Sequence, residues 1–266
     1  MRAAHIFSAF LRIAFVEALA YRAELLLWVL STSMPLVMMA FFSAVAEDAP
    51  MARFGQREFV AYFLVTLIVR HMTGSWAAWQ LGHDIRQGTL APRLLRPVHP
   101  LLSYVAENLA SLPLRLIAAF PVFVAAFVWI HPSTLTTQPI MFVWFIFAIV
   151  QAWALTMLFN LFVGSLSFFL ESGVKLMDLS HLFYLLASGY LVPIELFPSS
   201  VRRVFDWLPF RYQIALPVEL LTQRYDHQME VAHHMMLAQS AYCFGFAALL
   251  VLSWKLGCKR FGAFGH

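Results

Sequence analysis

The sequence predicts an all-α integral membrane protein with six transmembrane helices, an N-terminal interfacial helix and a re-entrant proline-rich hairpin between helices five and six. Apolar residues make up 61% of the 266-residue chain and charged residues only 12%. A soluble domain carries roughly 25 to 35% charged residues on its surface, so this composition excludes a soluble globule. Residues 188–217 are also apolar but contain Pro193, Pro198, Pro209 and Pro217. Because prolines interrupt helices, this stretch predicts a broken segment rather than a simple span.

Stretches of about 20 apolar residues, the length that crosses a bilayer as a helix, place the six predicted spans. They cover residues 25–46, 59–81, 109–130, 140–170, 174–192 and 235–256. The fourth stretch is longer than a bilayer requires, so it either tilts or projects beyond the membrane. No internal repeat or linker divides the chain, and we expect residues 1–266 to form a single transmembrane domain. Within it we expect an interfacial helix at 1–24, a cytoplasmic loop at 82–100 and a broken outer hairpin at 188–235.

Residues 1–24 carry apolar side chains at helical spacing, which predicts a helix lying in the inner membrane interface. A cleaved signal peptide is the alternative, because Ala-Leu-Ala at 18–20 has the small residues of a cleavage site. However, Arg12 and Glu17 divide the apolar core into pieces too short for a signal sequence. We therefore favour the interfacial helix.

The orientation follows from Lys and Arg in short loops, which prefer the cytoplasm. These residues are Arg86, Arg93 and Arg96 after the second span, and Lys255, Lys259 and Arg260 at the end of the sixth. Residues 131–139 contain neither Lys nor Arg. Both termini are therefore expected in the cytoplasm. The inverted topology is the alternative, because arginines in the predicted outer segments run against the rule.

The loop at 82–100 contains residues that typically begin and end a short helix. Gly88 can end the preceding helix as its C-cap, Pro92 can begin a new helix in its first turn, and Pro97 and Pro100 can stop it. The result would present Leu94 and Leu95 with basic neighbours to a soluble partner. The alternative is a basic loop that fixes topology and touches anionic lipid headgroups.

Arg70 lies about twelve residues from Gly82, roughly 18 Å at helical rise, which is too deep for its side chain to reach the interface. Charged groups inside a membrane point to function by default, so Arg70 and the adjacent His71 are candidates to line the path of an anionic or amphiphilic substrate. The alternative is a structural bond from Arg70 to carbonyls or to Asn160. Glu195, in the proline hairpin, could cap a broken helix or shape an exit gate.

The small-Gly, Pro-x-x-x-Phe-Pro and Leu-Pro-Phe elements of residues 188–217 resemble the outer end of the fifth helix and the following hairpin in permeases of type-2 ATP-binding-cassette (ABC) exporters. The Gly-Thr-Leu at 88–90 and the Leu-Leu-Arg-Pro at 94–97 resemble the coupling segment that docks on the ATPase subunit of that family. Relatives commonly place an acidic residue where this chain has Ala91, which puts one charged contact in doubt.

The resemblance implies roles for two groups of residues. The coupling contacts to the ATPase would be Asp84, Arg86, Thr89, Leu94, Leu95 and Arg96. The translocation pathway or gate would include Arg70, His71, Pro193, Glu195, Pro198 and Phe210. No catalytic and no metal-ligating residues are assigned.

The resemblance also implies a complex in a bacterial inner membrane. Six helices would form half of the family's twelve-helix pore, so a second permease copy or a homologous permease is expected beside membrane lipid, with no nucleic acid partner. Two ATPase subunits would bind ATP and Mg, because this chain lacks a Gly-x-x-x-x-Gly-Lys-Ser/Thr phosphate loop. A lipid-like or drug-like cargo is expected.

Two functions of other classes remain as alternatives, an intramembrane enzyme acting on lipid or peptide and a passive channel. Ser165, Ser167 and Ser188 with His181 could supply a serine nucleophile and a base. Ser165, however, falls in a Phe/Leu run that is better interpreted as small-residue helix packing. The aspartates are scattered and do not predict a carboxylate cluster.

Overall fold

The computed structural model describes residues 11–13, 15, 16, 20, 33–96, 98–170 and 173–261. Within 33–261, ten α-helices follow one another, and the described residues form no strand beyond an isolated bridge between Met51 and Phe54. The helices are α1 Met34–Asp48, α2 Gln56–Thr73, α3 Ala77–Gln87, α4 Leu90–Leu94, α5 Pro100–Trp129, α6 Pro139–Ser165, α7 Gly173–Ala187, α8 Ser199–Asp206, α9 Ala215–Leu221 and α10 Met229–Phe261. The predicted all-α class is confirmed for this part of the chain.

Three of the described helices are long and apolar enough to cross a membrane. They cover Pro100–Ala125, Pro139–Phe168 and Met229–Phe261, and they contain most of predicted spans three, four and six. The first part of span one, and nearly all of the predicted interfacial helix at 1–24, lie outside the described residues. The count of six spans therefore stays a prediction.

The second predicted span differs from the structure. Instead of one helix over 59–81, α2 ends at Thr73, the backbone turns at 74–76, and α3 starts at Ala77. Gly74 leaves helical geometry with φ −59° and ψ 137°. The hydropathy of the run does not reveal this break, because the polar groups that accommodate it come from another helix.

The segment after α7 is broken, as its prolines predict. Two 3₁₀ turns, Ile194–Leu196 and Arg211–Gln213, alternate with the short helices α8 and α9. Helix α9 is buried from Ala215 to Leu220 and packs against α6 and α2. The re-entry of this segment into the membrane stays a prediction.

Helix α6 is the centre of the fold, since it packs against α10, α3, α9 and α2. Its approach to α3 depends on Gly164, where an added Cβ would lie 2.9 Å from the carbonyl oxygen of Ala78. A second core, at the side of α2, joins aromatic rings of Phe59, Tyr62 and Phe63. These contacts fix α2, α3 and α9 around α6.

Gly189 makes the turn from α7 into the broken segment. Its φ of +82° lies in the left-handed region, and an added Cβ would lie 2.7 Å from the hydroxyl of Tyr62 and 2.9 Å from the Cβ of Ala215. The Tyr62 hydroxyl also donates a 2.8 Å hydrogen bond to the Gly189 carbonyl. The turn is therefore locked between α2 and α9.

We predict that Gly189→Ala lowers the free energy of unfolding by about 1 to 3 kcal/mol, because it adds backbone strain and a steric clash at one site. Denaturant titration in mild detergent micelles measures this. The matched control is Gly245→Ala, where no atom lies within 4 Å of the added Cβ. Equal stability of the two variants would contradict the predicted strain at Gly189.

Candidate functional site

The loop between α3 and α5 has the predicted short helix. Helix α3 ends at Gly88 in the left-handed conformation, φ 74°, which confirms the predicted C-cap. Helix α4 covers Leu90–Leu94, with Pro92 in its first turn. Leu90 is fully buried and packs in a cluster with Leu81, Ile85 and Tyr104. This leucine anchors α4 to the bundle.

Asp84 ties this loop to α5 from the inside. Its carboxylate accepts hydrogen bonds from the Thr89 hydroxyl at 2.8 Å and from the Tyr104 hydroxyl at 2.6 Å. Arg93 Nε lies 3.3 Å from the same carboxylate. Because Asp84 is buried, its position suits it to shaping the loop, whereas the resemblance gave it a contact with the ATPase.

Arg93 joins α4 to α5 as well. Its Nη1 donates to Glu107 Oε1 at 2.9 Å and to the Ser103 hydroxyl at 2.9 Å, and its guanidinium lies 4.7 Å from the ring centre of Tyr104. Burial by itself would lower the pKa of Arg93, but Glu107, Tyr104 and Asp84 together outweigh this effect, so the pKa is raised. The Arg93 side chain thus holds α4 against α5 through charged contacts. Sequence reasoning counted it only as a topology signal.

The other five predicted coupling residues are exposed, between the last turn of α3 and the end of the α4 segment. Arg86, Thr89, Leu94, Leu95 and Arg96 are all exposed, and Leu95 is 88% exposed. We call these five residues the α4 surface. Two leucines flanked by arginines on a braced helix form a small apolar patch with a basic rim, which is the usual composition of a protein docking site.

Arg70 lies in the interior, at a polar cavity next to the break between α2 and α3. The side chain is 7% exposed, and its guanidinium lies 5.1 Å from the ring centre of Tyr184 and 5.8 Å from that of Tyr190. The cavity has a volume of about 30 Å³, which is enough for a water molecule. Its other polar lining residues are Ser75, Thr156, Asn160, Ser180, His181 and Gln213.

His71 lies outside the Arg70 cavity, whereas Asn160 lines it. His71 is buried, its Nδ1 lies 2.9 Å from the Leu67 carbonyl oxygen, and its ring meets Phe123 of α5 edge-on. Asn160 lines the Arg70 cavity, and its amide donates to the Thr156 carbonyl at 2.8 Å. Of the two adjacent candidates on α2, Arg70 lines the cavity, whereas the His71 ring packs towards α5.

A second buried arginine, which sequence reasoning missed, holds the helix break. Arg115 of α5 is 2% exposed. Its Nη1 donates to the Gly74 carbonyl at 2.7 Å, and Asn108 Nδ2 donates to the same oxygen at 3.1 Å. Trp153 Nε1 in turn donates to Asn108 Oδ1 at 2.8 Å. The rule that singled out Arg70, a charge deep in an apolar run, would also have found Arg115.

Glu195 lies at the end of α5 that is remote from α4, where it joins three loops. Its carboxylate receives two hydrogen bonds from Arg53, both 2.8 Å, and Arg224 Nε lies 3.4 Å away. Arg53 also donates to the Thr222 carbonyl at 2.8 Å. Burial by itself would lower the pKa of Arg53, but the hydrogen bonds and charge of Glu195, together with the charge of Glu219, raise it overall. We call Arg53, Glu195 and Arg224 the loop clamp.

Beside the loop clamp, Arg211 forms a second charged group with the ends of α8 and α9. Its guanidinium pairs with Asp206 and donates to Glu219 at 2.9 Å. The Tyr225 hydroxyl donates to the same Glu219 oxygen at 2.7 Å. Glu219 is 1% exposed, so the arginine compensates a buried carboxylate.

The remaining gate candidates occupy separate places in this region. Pro193 is buried and precedes the Ile194–Leu196 turn, while Pro198 is exposed and precedes α8. Phe210 is buried, with its ring 5.3 Å from that of Phe159 in α6. Pro193 directly precedes the turn that contains Glu195 of the loop clamp.

Ser165, a candidate nucleophile of the enzyme alternative, lies in a contact between helices. Its hydroxyl is 2.7 Å from the Ser253 hydroxyl of α10 and donates to the Phe162 carbonyl at 2.7 Å. The residue is fully buried. This arrangement agrees with the packing interpretation of Ser165. Among the described residues, no cluster of three His, Cys, Asp or Glu side chains has the arrangement of a metal site.

Comparison with known protein families identifies the family of the chain. A family model described as ABC-2 family transporter protein matches residues 27–265, which is nearly the whole chain. No curated protein matches the chain. The matched region contains the α4 surface, the buried Arg70, Arg115 and Arg211, and the loop clamp.

We predict that the loop clamp stabilises the fold by direct coupling of Arg53 to Glu195. In a double-mutant cycle of Arg53→Gln and Glu195→Gln, each single change should cost about 1 to 3 kcal/mol, because a half-buried charged hydrogen bond is lost. The coupling energy should be about 1 to 2 kcal/mol.

Denaturant titration of the four proteins in micelles measures the cycle. Arg57→Gln is the matched control, since Arg57 is exposed and forms no ion pair with another described residue. A coupling energy near zero would show that Arg53 and Glu195 act independently.

Proposed function

Because the chain belongs to the ABC-2 transporter family, we propose that it is the membrane-spanning permease subunit of an ATP-driven exporter. The family and the three long apolar helices make the chain a multi-pass membrane protein and a component of an ABC transporter. The separate ATPase subunit binds ATP and Mg and supplies the energy. The observation that carries the proposal is the braced, exposed α4 surface.

The α4 surface is suited to transmit force because it is exposed on one side and anchored on the other. Leu94 and Leu95 are free to enter a groove of the ATPase, while Leu90 is buried in the bundle. Asp84 and Arg93 link α4 to α3 and α5 through charged hydrogen bonds. A push on α4 therefore displaces α3 and the start of α5 together.

The break at 74–76 is the point where this displacement reaches the interior. Helix α3 is joined to α2 by three non-helical residues, and such short joints absorb changes in backbone angles during hinge motion. The Arg70 cavity lies directly beside this joint, since Ser75 and Trp76 line it. Nucleotide binding would thus change the surroundings of Arg70.

The loop clamp and the broken segment after α7 form the exit side of the same pathway. Export places the α4 surface in the cytoplasm and the clamp on the outer face of a bacterial inner membrane, with both termini cytoplasmic. A second permease copy or a homologous permease completes the pore. The aromatic-rich composition of the chain favours a lipid-like or drug-like cargo, and the Arg70 cavity, at about 30 Å³, would have to widen to admit it.

Recovery of the tagged chain from its native membrane in mild detergent, with mass spectrometry of stoichiometric partners, tests the proposal. A nucleotide-binding ATPase should be recovered with it, and a second permease would distinguish a heterodimer from a homodimer. Reproducible recovery of the chain alone would overturn the proposal.

We predict that Leu94→Asp with Leu95→Asp weakens ATPase binding by about 30-fold or more. Truncation of a central interface residue costs about 2 kcal/mol, and 1.4 kcal/mol corresponds to a factor of ten. Titration of the purified ATPase onto the detergent-solubilised permease measures the affinity, and membrane insertion should be unchanged.

Val204→Asp with Met229→Asp is the matched control, because it places the same charges at two exposed apolar positions elsewhere. If the Leu94 and Leu95 variant binds the ATPase as strongly as the native chain does, α4 is not part of the coupling surface.

We predict that Arg70 faces water during transport. In a chain whose two cysteines, Cys243 and Cys258, are replaced by Ala, Arg70→Cys should react with a small charged thiol reagent several times faster when the ATPase and ATP are present. Leu67→Cys, at a buried position on the same helix, is the control.

The rate of labelling in assembled complexes is the measurement, and size-exclusion chromatography verifies that both variants assemble. Labelling of Arg70→Cys at the slow rate of Leu67→Cys, with and without ATP, would assign Arg70 a structural role only.

A further inference from the structure

Two cavities follow one another along a single face of α10. The basic cavity, about 340 Å³, is lined by Arg202, Arg203, Asp206, Val231 and Met235 among others. The apolar cavity, about 620 Å³, is lined by Asp206, Trp207, Ala238, Tyr242, Gly245 and Leu249 among others. Asp206 borders both cavities, so they adjoin at the end of α8.

The α10 residues that line the two cavities form one stripe. Positions 231, 235, 238, 242, 245 and 249 are separated by three or four residues, which places them on one side of a helix. The apolar part, from 238 to 249, is about 16 Å long at helical rise. This length is close to half of the roughly 30 Å hydrocarbon core of a bilayer, so the apolar cavity is about as long as one leaflet is thick.

The basic cavity carries an excess of positive charge. Its carboxylates are already engaged, Asp206 with Arg211 and Glu195 with Arg53 and Arg224. Arg202 and Arg203 line the same cavity and form no ion pair with another described residue. Two guanidiniums at the mouth of a cavity favour an anion, and a phosphate matches their hydrogen-bonding geometry.

The apolar cavity is open rather than filled by side chains. No atom lies within 4 Å of the Cβ that a larger residue would have at Gly245. Trp207, at the rim, is 82% exposed, and its carbonyl accepts a 2.6 Å hydrogen bond from Tyr242 of α10. The rim is thus held to α10 while the tryptophan ring faces outwards.

We propose that these cavities bind one anionic phospholipid of the outer leaflet, with the headgroup phosphate at Arg202 and Arg203 and an acyl chain along positions 238 to 249 of α10. The inference rests on the outward orientation given under the proposed function. The site has a cationic end followed by an apolar groove about one leaflet long. A phospholipid has the matching arrangement, an anionic headgroup followed by acyl chains. A second copy of the chain fits this site less well, because it would have to place carboxylates against Arg202 and Arg203.

Quenching of Trp207 fluorescence by brominated lipids tests the site. The full chain, with any partners it retains, is reconstituted into vesicles containing brominated phosphatidylglycerol or brominated phosphatidylcholine over the same series of mole fractions. Subtraction of a Trp207→Phe sample isolates the signal of this residue. Half-quenching should need about five-fold less phosphatidylglycerol than phosphatidylcholine for each arginine at the headgroup, because both lipids carry the phosphate but only phosphatidylglycerol has a net negative charge.

Matched variants separate the headgroup from the groove. Arg202→Gln with Arg203→Gln should abolish the preference for phosphatidylglycerol, whereas Arg57→Gln should keep it. Gly245→Leu should reduce quenching by both lipids because it fills the groove, whereas Leu252→Phe, at another exposed position of α10, should not.

Equal half-quenching by the two lipids in the native chain would overturn the proposal, as would a preference that survives the loss of both arginines. A Trp207 that neither lipid quenches would indicate a protein cover, such as a second copy, and would also overturn it. Since neither nucleotide nor transport enters the readout, failure here is distinct from failure of the exporter proposal.

Discussion

The rest of the structure depends on how backbone polar groups are satisfied where helices break inside an apolar bundle. A free carbonyl in hydrocarbon costs several kcal/mol, so each break requires a donor from elsewhere in the chain. At 74–76 the donors to the Gly74 carbonyl are Arg115 and Asn108. After α7, the Ala215 N–H donates to the Ser188 carbonyl at 2.9 Å and Tyr62 donates to Gly189. These bonds determine where α3 and α9 can lie.

Charged groups are used in three distinct ways in the described part of the chain. Asp84 and Arg93 brace α4 beneath an exposed apolar patch, and Arg53 and Glu195 clamp loops that are far apart in sequence. Arg70, in contrast, is held between aromatic rings at a cavity that can admit water. Arg93 lies against two carboxylates, those of Asp84 and Glu107, whereas Arg70 lies beside two tyrosine rings in the interior of the bundle.

The sequence predicted those features that depend on local chemistry. Gly88 ends α3 because its left-handed conformation suits a residue without a Cβ, and the prolines divide the segment after α7 as expected. Prediction of the break at 74–76 failed, because hydropathy averages over Gly74 and does not register a donor on α5. Arg115 could have been predicted, because it is a charged residue deep in an apolar run, as Arg70 is. The partner of Glu195 could not be predicted, since 142 residues separate it from Arg53.

By itself, the sequence determined the class of protein, the family and the exposed short helix after α3, because composition, periodicity and turn residues act over a few neighbouring positions. Only the tertiary structure decided which charged residues are braces, which one faces a cavity, and that two cavities join along α10. These features arise from contacts between distant segments, where distance and burial set the free energy of each charge. No pattern within a single segment encodes them.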